Sequence, residues 1–157
     1  MINNKSLQTG ISILLLLLFC FLAVYLHLCL GLALFYDTSA WDYSPLGYKA
    51  RSGLSYAHLV YSILMIICMG MMILGNNRKC LLSSYFLTVI ISLLFVCTSW
   101  FVVERIVIGG LPDVEVDDAA SNIRAFITGE IHVLCLLSII CSSLILMFNH
   151  SKRKISQ

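Results

Sequence analysis

Apolar residues in this chain fall into four long blocks separated by short polar connections. The blocks run over residues 11–36, 54–75, 81–103 with an apolar extension toward 108, and 125–148. Each exceeds the ~20 residues that a helix needs to cross a hydrocarbon core about 30 Å thick. Inside lipid the backbone must satisfy its own hydrogen bonds, so helices are expected. The blocks are rich in Leu and Ile and lack polar alternation, which argues against barrel strands. The pattern predicts an all-α fold, a four-transmembrane-helix antiparallel bundle in one membrane domain. The expected helices span about 11–36, 54–75, 81–105 and 125–148, with outer loops 37–53 and 106–124 and a turn at 76–80.

The connections support that division. Gly75-Asn76-Asn77-Arg78-Lys79 is a tight polar turn, so the second and third blocks should form an antiparallel hairpin. The 37–53 loop carries Trp41, Tyr43 and Tyr48, aromatics suited to a membrane–water interface. Gly109-Gly110-Leu111-Pro112 should end the third helix, and Ser121 or Asn122 is expected to cap the fourth. The first block is longer than the roughly 7–15 apolar residues of a signal peptide, and Leu32-Ala33-Leu34 is a poor cleavage context. It is expected to be an uncleaved helix.

Composition sharpens the class. Apolar residues make up 60% of the chain and charged residues 11%, against roughly 25% charged in a soluble domain. Too little polar surface is available to coat a water-soluble fold. The net charge of +2 comes with no basic stripe, so no nucleic-acid partner is expected. None of the 7 cysteines forms a C-x-x-C pair, which leaves zinc-ribbon and thioredoxin-type chemistry without a motif.

Charge placement predicts orientation. Lys5, Arg78, Lys79, Lys152, Arg153 and Lys154 gather on one side with no acid among them. All 8 acids fall on the other side, with Lys49, Arg51, Arg105 and Arg124. The positive-inside rule then puts both termini and the 76–80 turn in the cytosol. The N-x-S sequences at Asn4 and Asn149 would lie inside and stay unglycosylated.

Antiparallel helices would bring polar groups to one depth in the outer third of the membrane: His27, His58, Glu104 with Arg105, and Glu130 with His132. Such residues are costly in lipid and usually face a bundle interior or a wet cavity. They read either as anchors that fix packing or as a pocket open to the outside that binds a small ligand, with haem or metal as a further option. Glu130 and His132 are two apart and point to opposite faces of a helix, and no H-x-x-x-H or E-x-x-H occurs. No resident cofactor, metal or catalytic residue is therefore expected.

Small polar residues recur at helical spacing. Ser84, Thr88, Ser92 and Ser99 share one face of the third helix; Thr128, His132, Cys135, Ser138 and Ser142 share one face of the fourth. These faces are expected to make helix–helix contacts. Met65, Met69, Met71 and Met72 read as lipid-facing filler or an adaptable partner surface. Cys80, beside Arg78 and Lys79, is a lipidation candidate. The acidic run 113–118 lacks the EF-hand spacing and reads as a solvated loop.

The layout resembles small four-pass proteins of the claudin and MARVEL types, with cytosolic ends, a short cytosolic turn and two outer loops. The claudin W-x-G-L-W pattern and its loop cysteines are absent; here the loop reads Ala40-Trp41-Asp42-Tyr43-Ser44-Pro45-Leu46-Gly47-Tyr48. No residue role carries over. The resemblance implies a place in junctions, trafficking or channel accessory function. The expectation is a non-enzymatic multi-pass protein of the plasma membrane or endomembranes. Its partners would be the lipid bilayer and another membrane protein or a second copy of itself. The alternative is a small membrane enzyme or redox protein using the outer His/Glu layer.

Overall fold

A computed structural model describes the backbone of residues 4–35, 45–75, 77–108 and 118–154, and the side chains of 6–35, 48–75, 77–103 and 124–149. The order is α1 (Asn4–Phe35), α2 (Pro45–Leu74), α3 (Arg78–Ile108) and α4 (Asp118–Lys154). All four are long and apolar enough to cross a membrane. Trp41 and most of the acidic run, 113–117, lie outside the described residues.

The helices outrun the apolar blocks. α2 begins at Pro45 rather than Leu54, and α4 at Asp118 rather than near residue 125. The expected cap at Ser121 or Asn122 is thereby corrected, since both lie inside α4. Hydropathy marks the segment that lipid tolerates, whereas a helix continues until its backbone is stopped. Proline suits a first turn because its missing N–H has no intrahelical partner there. The turn also narrows: α3 already starts at Arg78. The Gly75 amide closes α2 by donating to Met71 O at 2.7 Å. Asn77 then caps α3, its Oδ1 accepting from the Lys79 amide at 3.1 Å and its carbonyl from the Leu81 amide at 3.1 Å.

Paired residues fix the topology. His27 meets His58, and Phe35 meets Tyr48, so α1 and α2 run antiparallel. Tyr61 bonds Ser92 and Tyr85 bonds Ser143, extending the alternation through α3 and α4. Among the described residues α1 touches α2 and α4, α3 touches α2 and α4, and α2 reaches α4 across the middle, while α1 and α3 do not meet. The bundle is thus a square closed along one diagonal.

The core is drawn from steps of three and four. On α1 it takes Phe19, Ala23, Leu26, Leu30 and Leu34; on α3, Leu81, Ser84, Thr88, Ser92, Phe95, Ser99 and Val103. The mean step of about 3.7 is close to the 3.6 residues per turn of a straight helix, so each helix keeps one face inward along its length. Met65, Met69 and Met72 are completely buried, and Met71 faces outward. This corrects both readings for those three methionines and leaves Met71 alone at the surface. Composition could not separate the faces, but the four- and three-residue steps carry Met65, Met69 and Met72 along one inward edge.

Candidate functional site: a polar seam through the bundle

Helix α3 is turned inside out by soluble standards. Phe86, Leu87, Ile90, Leu93 and Leu94 point away from the bundle, while Ser84, Thr88, Ser92 and Ser99 are buried. Lipid is as apolar as leucine, so no hydrophobic drive pulls leucine inward; hydroxyls gain by finding partners within the protein. Thr88 donates to Ser84 O at 3.0 Å and Ser92 to Thr88 O at 2.8 Å. These backbone bonds quiet each hydroxyl proton and leave its oxygen lone pairs facing α2 and α4.

Tyr61 of α2 gathers the three helices. Its hydroxyl lies 2.7 Å from Ser92 Oγ and 2.6 Å from Ser138 Oγ, and those two oxygens are 3.3 Å apart. Ser138 donates to Cys135 O at 2.8 Å. With both serine protons held by carbonyls, the Tyr61 proton serves one serine at a time. Both contacts carry a proton only if a serine releases its carbonyl. Phe95 stacks on the tyrosine ring at 4.5 Å between centroids and holds it in place. The Cys135 thiol adds a 3.7 Å contact to Ser92 O.

About one helical turn from Tyr61 along α2, His27 Nδ1 and His58 Nδ1 stand 3.3 Å apart, with ring centroids at 5.3 Å. One ring must carry its proton on Nδ1 and the other accept it. His58 is fully buried, its ring meets the Phe95 ring edge-on, and its Nε2 has no hydrogen-bond partner. Toward the other end, Tyr85 and Ser143 hydroxyls lie 3.2 Å apart, and Asn149 Nδ2 donates to Met72 O at 3.2 Å. The hydroxyls of Ser84 and Ser142 are buried without partners.

The six residues of the expected outer layer do not converge on one point. His27 and His58 touch. Glu130 is buried on α4 with Oε2 unpartnered. His132 is exposed on the far side of α4, and its Nδ1 donates to Thr128 O at 2.6 Å. Glu104 and Arg105 lie on α3, with side chains outside the described residues. Opposed imidazoles that sandwich a haem iron need nitrogens about 4 Å apart, more than separates these two. The observed spacing would suit neighbouring corners of a tetrahedral ion, but among the described residues no third His, Cys, Asp or Glu joins them.

Of the expected contact residues, Cys135, Ser138 and Ser142 are buried with those of α3, and Thr128 is half-buried. His132 leaves that face. Cys80 is exposed at the start of α3. Asn149 is buried and bonded, so a glycan there would be incompatible with this packing. Sequence reading missed Tyr61, the joint of the seam. Its signal was present: a tyrosine deep in an apolar block, three residues from His58 and so on its face.

A separate cavity of about 390 Å³ opens between α2 and α3, lined by Ala50, Gly53 and Ala57 opposite Ser99, Phe101 and Val102. Among the described residues, His27, His58, Glu130 and His132 do not border it. No family model, no curated protein and no solved structure matches this chain.

Proposed function

We propose that this chain is a non-enzymatic multi-pass membrane protein that acts by assembly, as an accessory, scaffold or trafficking subunit of a larger membrane complex or junction. The observation that carries the reading is His132. It is exposed eight residues into the Arg124–Asn149 span, roughly 12 Å along the helix at 1.5 Å per residue. A polar side chain at that depth normally faces protein rather than acyl chains. One ring nitrogen is held by its own helix; the other needs a partner that this bundle does not supply from its lipid-facing side.

The surroundings fit a helix-sized contact. Gly129 lies one turn away with open space where a side chain would stand, so another backbone can approach closely. Leu136 and Ile140 continue the exposed ridge. In this reading both termini and Cys80 lie in the cytosol, as the basic residues at 78–79 and 152–154 favour. The membrane is the plasma membrane or an endomembrane.

Site-specific photocrosslinking in the native membrane tests the proposal. Probes at Gly129, His132 and Leu136 should give one shared protein adduct, either a partner or a second copy. Probes at Phe86 and Ile90 on α3 should give lipid. Lipid adducts alone from all three α4 positions would remove the assembly surface.

A further inference from the structure

The cavity between α2 and α3 belongs neither to the polar seam nor to the exposed ridge of α4. Its floor includes Leu54 and Ser99, both buried, and its mouth is formed by Gly53, Ala57, Thr98 and Phe101, all exposed. It therefore opens outward between the two helices, on the side of the bundle that faces lipid. Its volume of about 390 Å³ falls in the ~300–1,000 Å³ range of small-molecule sites. The small residues of α2 keep one wall shallow, and nothing stands within 4 Å of where a Gly53 side chain would begin.

Two polar groups stand along this groove in a definite order. Ser99 is 3% exposed and lines the cavity, and its hydroxyl makes no hydrogen bond among the described residues. Thr98 beside it has its hydroxyl tied to Leu94 O at 2.8 Å and Phe95 O at 3.2 Å. Ser99 is thus the one uncommitted hydroxyl in the wall. Lys49 stands one turn above Gly53 on the same face of α2. It is exposed and has no ion pair among the described residues. It is also the second residue of the Tyr48–Leu74 span, where a lysine stem lies along apolar surface and its ammonium reaches the headgroups. Because Tyr61 meets Ser92 in this antiparallel pair, Ser99 lies level with Leu54. That is five residues deeper than Lys49, or roughly 7–8 Å at 1.5 Å per residue. Ala57 lies nearly a turn deeper still.

From the end of the span inward, the order is a cation, a hydroxyl donor and an apolar groove. A glycerophospholipid presents a phosphate, an ester carbonyl and an acyl chain in the same order. We propose that the α2–α3 groove binds one anionic glycerophospholipid. Its phosphate meets Lys49, an ester carbonyl accepts from Ser99, and an acyl chain lies over Gly53 and Ala57. A sterol would use the hydroxyl and the shallow wall but leave the Lys49 charge without a partner. A choline headgroup would set a second cation beside Lys49, so a headgroup without one is preferred. The site is independent of the α4 contact, which lies on another helix.

The test reconstitutes the full-length chain in vesicles of equal parts phosphatidylcholine and phosphatidylglycerol with matched chains, with cholesterol added. The chain is then extracted in mild detergent, and the lipid retained per chain is counted by native mass spectrometry. One phosphatidylglycerol should stay with the wild type, at least five-fold in excess of phosphatidylcholine. Gly53→Leu should fill the groove and lower retention at least five-fold. Its side chain enters open space, so its melting temperature should stay near that of the wild type. Ser99→Ala should lower retention several-fold, and Lys49→Gln should bring the two phospholipids to equal retention. Leu87→Ala on the lipid face of α3 and Gly129→Leu on α4 should leave retention unchanged. A wild type that retains no lipid overturns the proposal. So does cholesterol held in place of phospholipid, equal retention of the two phospholipids by the wild type, or a Gly53→Leu variant that holds lipid like the wild type. None of these results bears on the α4 contact, which the assay does not read.

Discussion

Tyr61 and Ser138, 77 residues apart in sequence, meet in a 2.6 Å hydrogen bond at the middle of the bundle. The bond spans the diagonal from α2 to α4, and Ser92 joins it from α3. Interhelical hydrogen bonds in membranes contribute about 0.6 kcal/mol on average and up to roughly 1.7. Tyr61→Phe keeps the stack on Phe95, and both serines keep their carbonyl bonds. A loss of about 1 kcal/mol is expected, read by reversible unfolding in mixed micelles. Tyr61→Ala also removes the ring and should cost about 3–5 kcal/mol, the range for deleting a buried aromatic.

The His27–His58 contact predicts non-additive substitutions. His58→Ala leaves His27 without its partner and opens a void beside Phe95. His27→Ala strands a fully buried imidazole. Once one ring is gone, removing the second should cost less. A double-mutant cycle should give a coupling of about 0.5–1.5 kcal/mol. Strict additivity in that cycle would show that the two rings do not bond in solution.

Two glycines should respond oppositely to alanine. A Cβ on Gly75 would stand 2.6 Å from Met71 O and 3.2 Å from Cys80 Sγ. The first neighbour is backbone and cannot swing aside. Gly75→Ala should therefore lower the melting temperature and loosen the α2–α3 hairpin. Gly129 has no neighbour within 4 Å, so Gly129→Ala should be neutral or gain up to about 1 kcal/mol from helix propensity. A bulkier Gly129→Leu should leave the isolated bundle folded while abolishing the partner crosslink from His132.

Cysteine labelling should sort the thiols by place. Cys80 and Cys97 are exposed, whereas Cys68, Cys135 and Cys141 are buried. Thiolate chemistry needs water. A charged maleimide should therefore modify Cys80 in sealed membranes from one side only. Cys97, exposed within the span of α3, should resist charged and permeant maleimides alike while it faces acyl chains. The buried three should wait for unfolding. Labelling of Cys80 only from the cytosolic side would support the proposed orientation; labelling only from the opposite side would invert it.

Much of the fold was legible before any coordinates. A block of apolar residues longer than a bilayer is thick has one stable solution, so the number of helices followed from sequence alone. A short turn between α2 and α3 followed too, from Gly and Asn after an apolar run, although the expected 76–80 span was too long because α3 already starts at Arg78. Helix ends were less legible. Pro45 and Asp118 begin their helices in polar sequence, where hydropathy carries no signal and only backbone geometry decides.

What the sequence could not decide was which polar groups meet. Periodicity put Ser84, Thr88 and Ser92 on one face, and Ser138 and Ser142 on another, as a consequence of 3.6 residues per turn. That the two faces close on the same tyrosine depends on the rotation and rise of α2 against α3 and α4. Those are set by side-chain fit over the whole interface, to which every residue contributes a little and none dictates. The same rotation brought His27 against His58 and sent His132 outward, although all three lie at a similar depth. Depth is a local property of a helix and can be read along the chain. Facing is a relation between helices, and only their packing settles it.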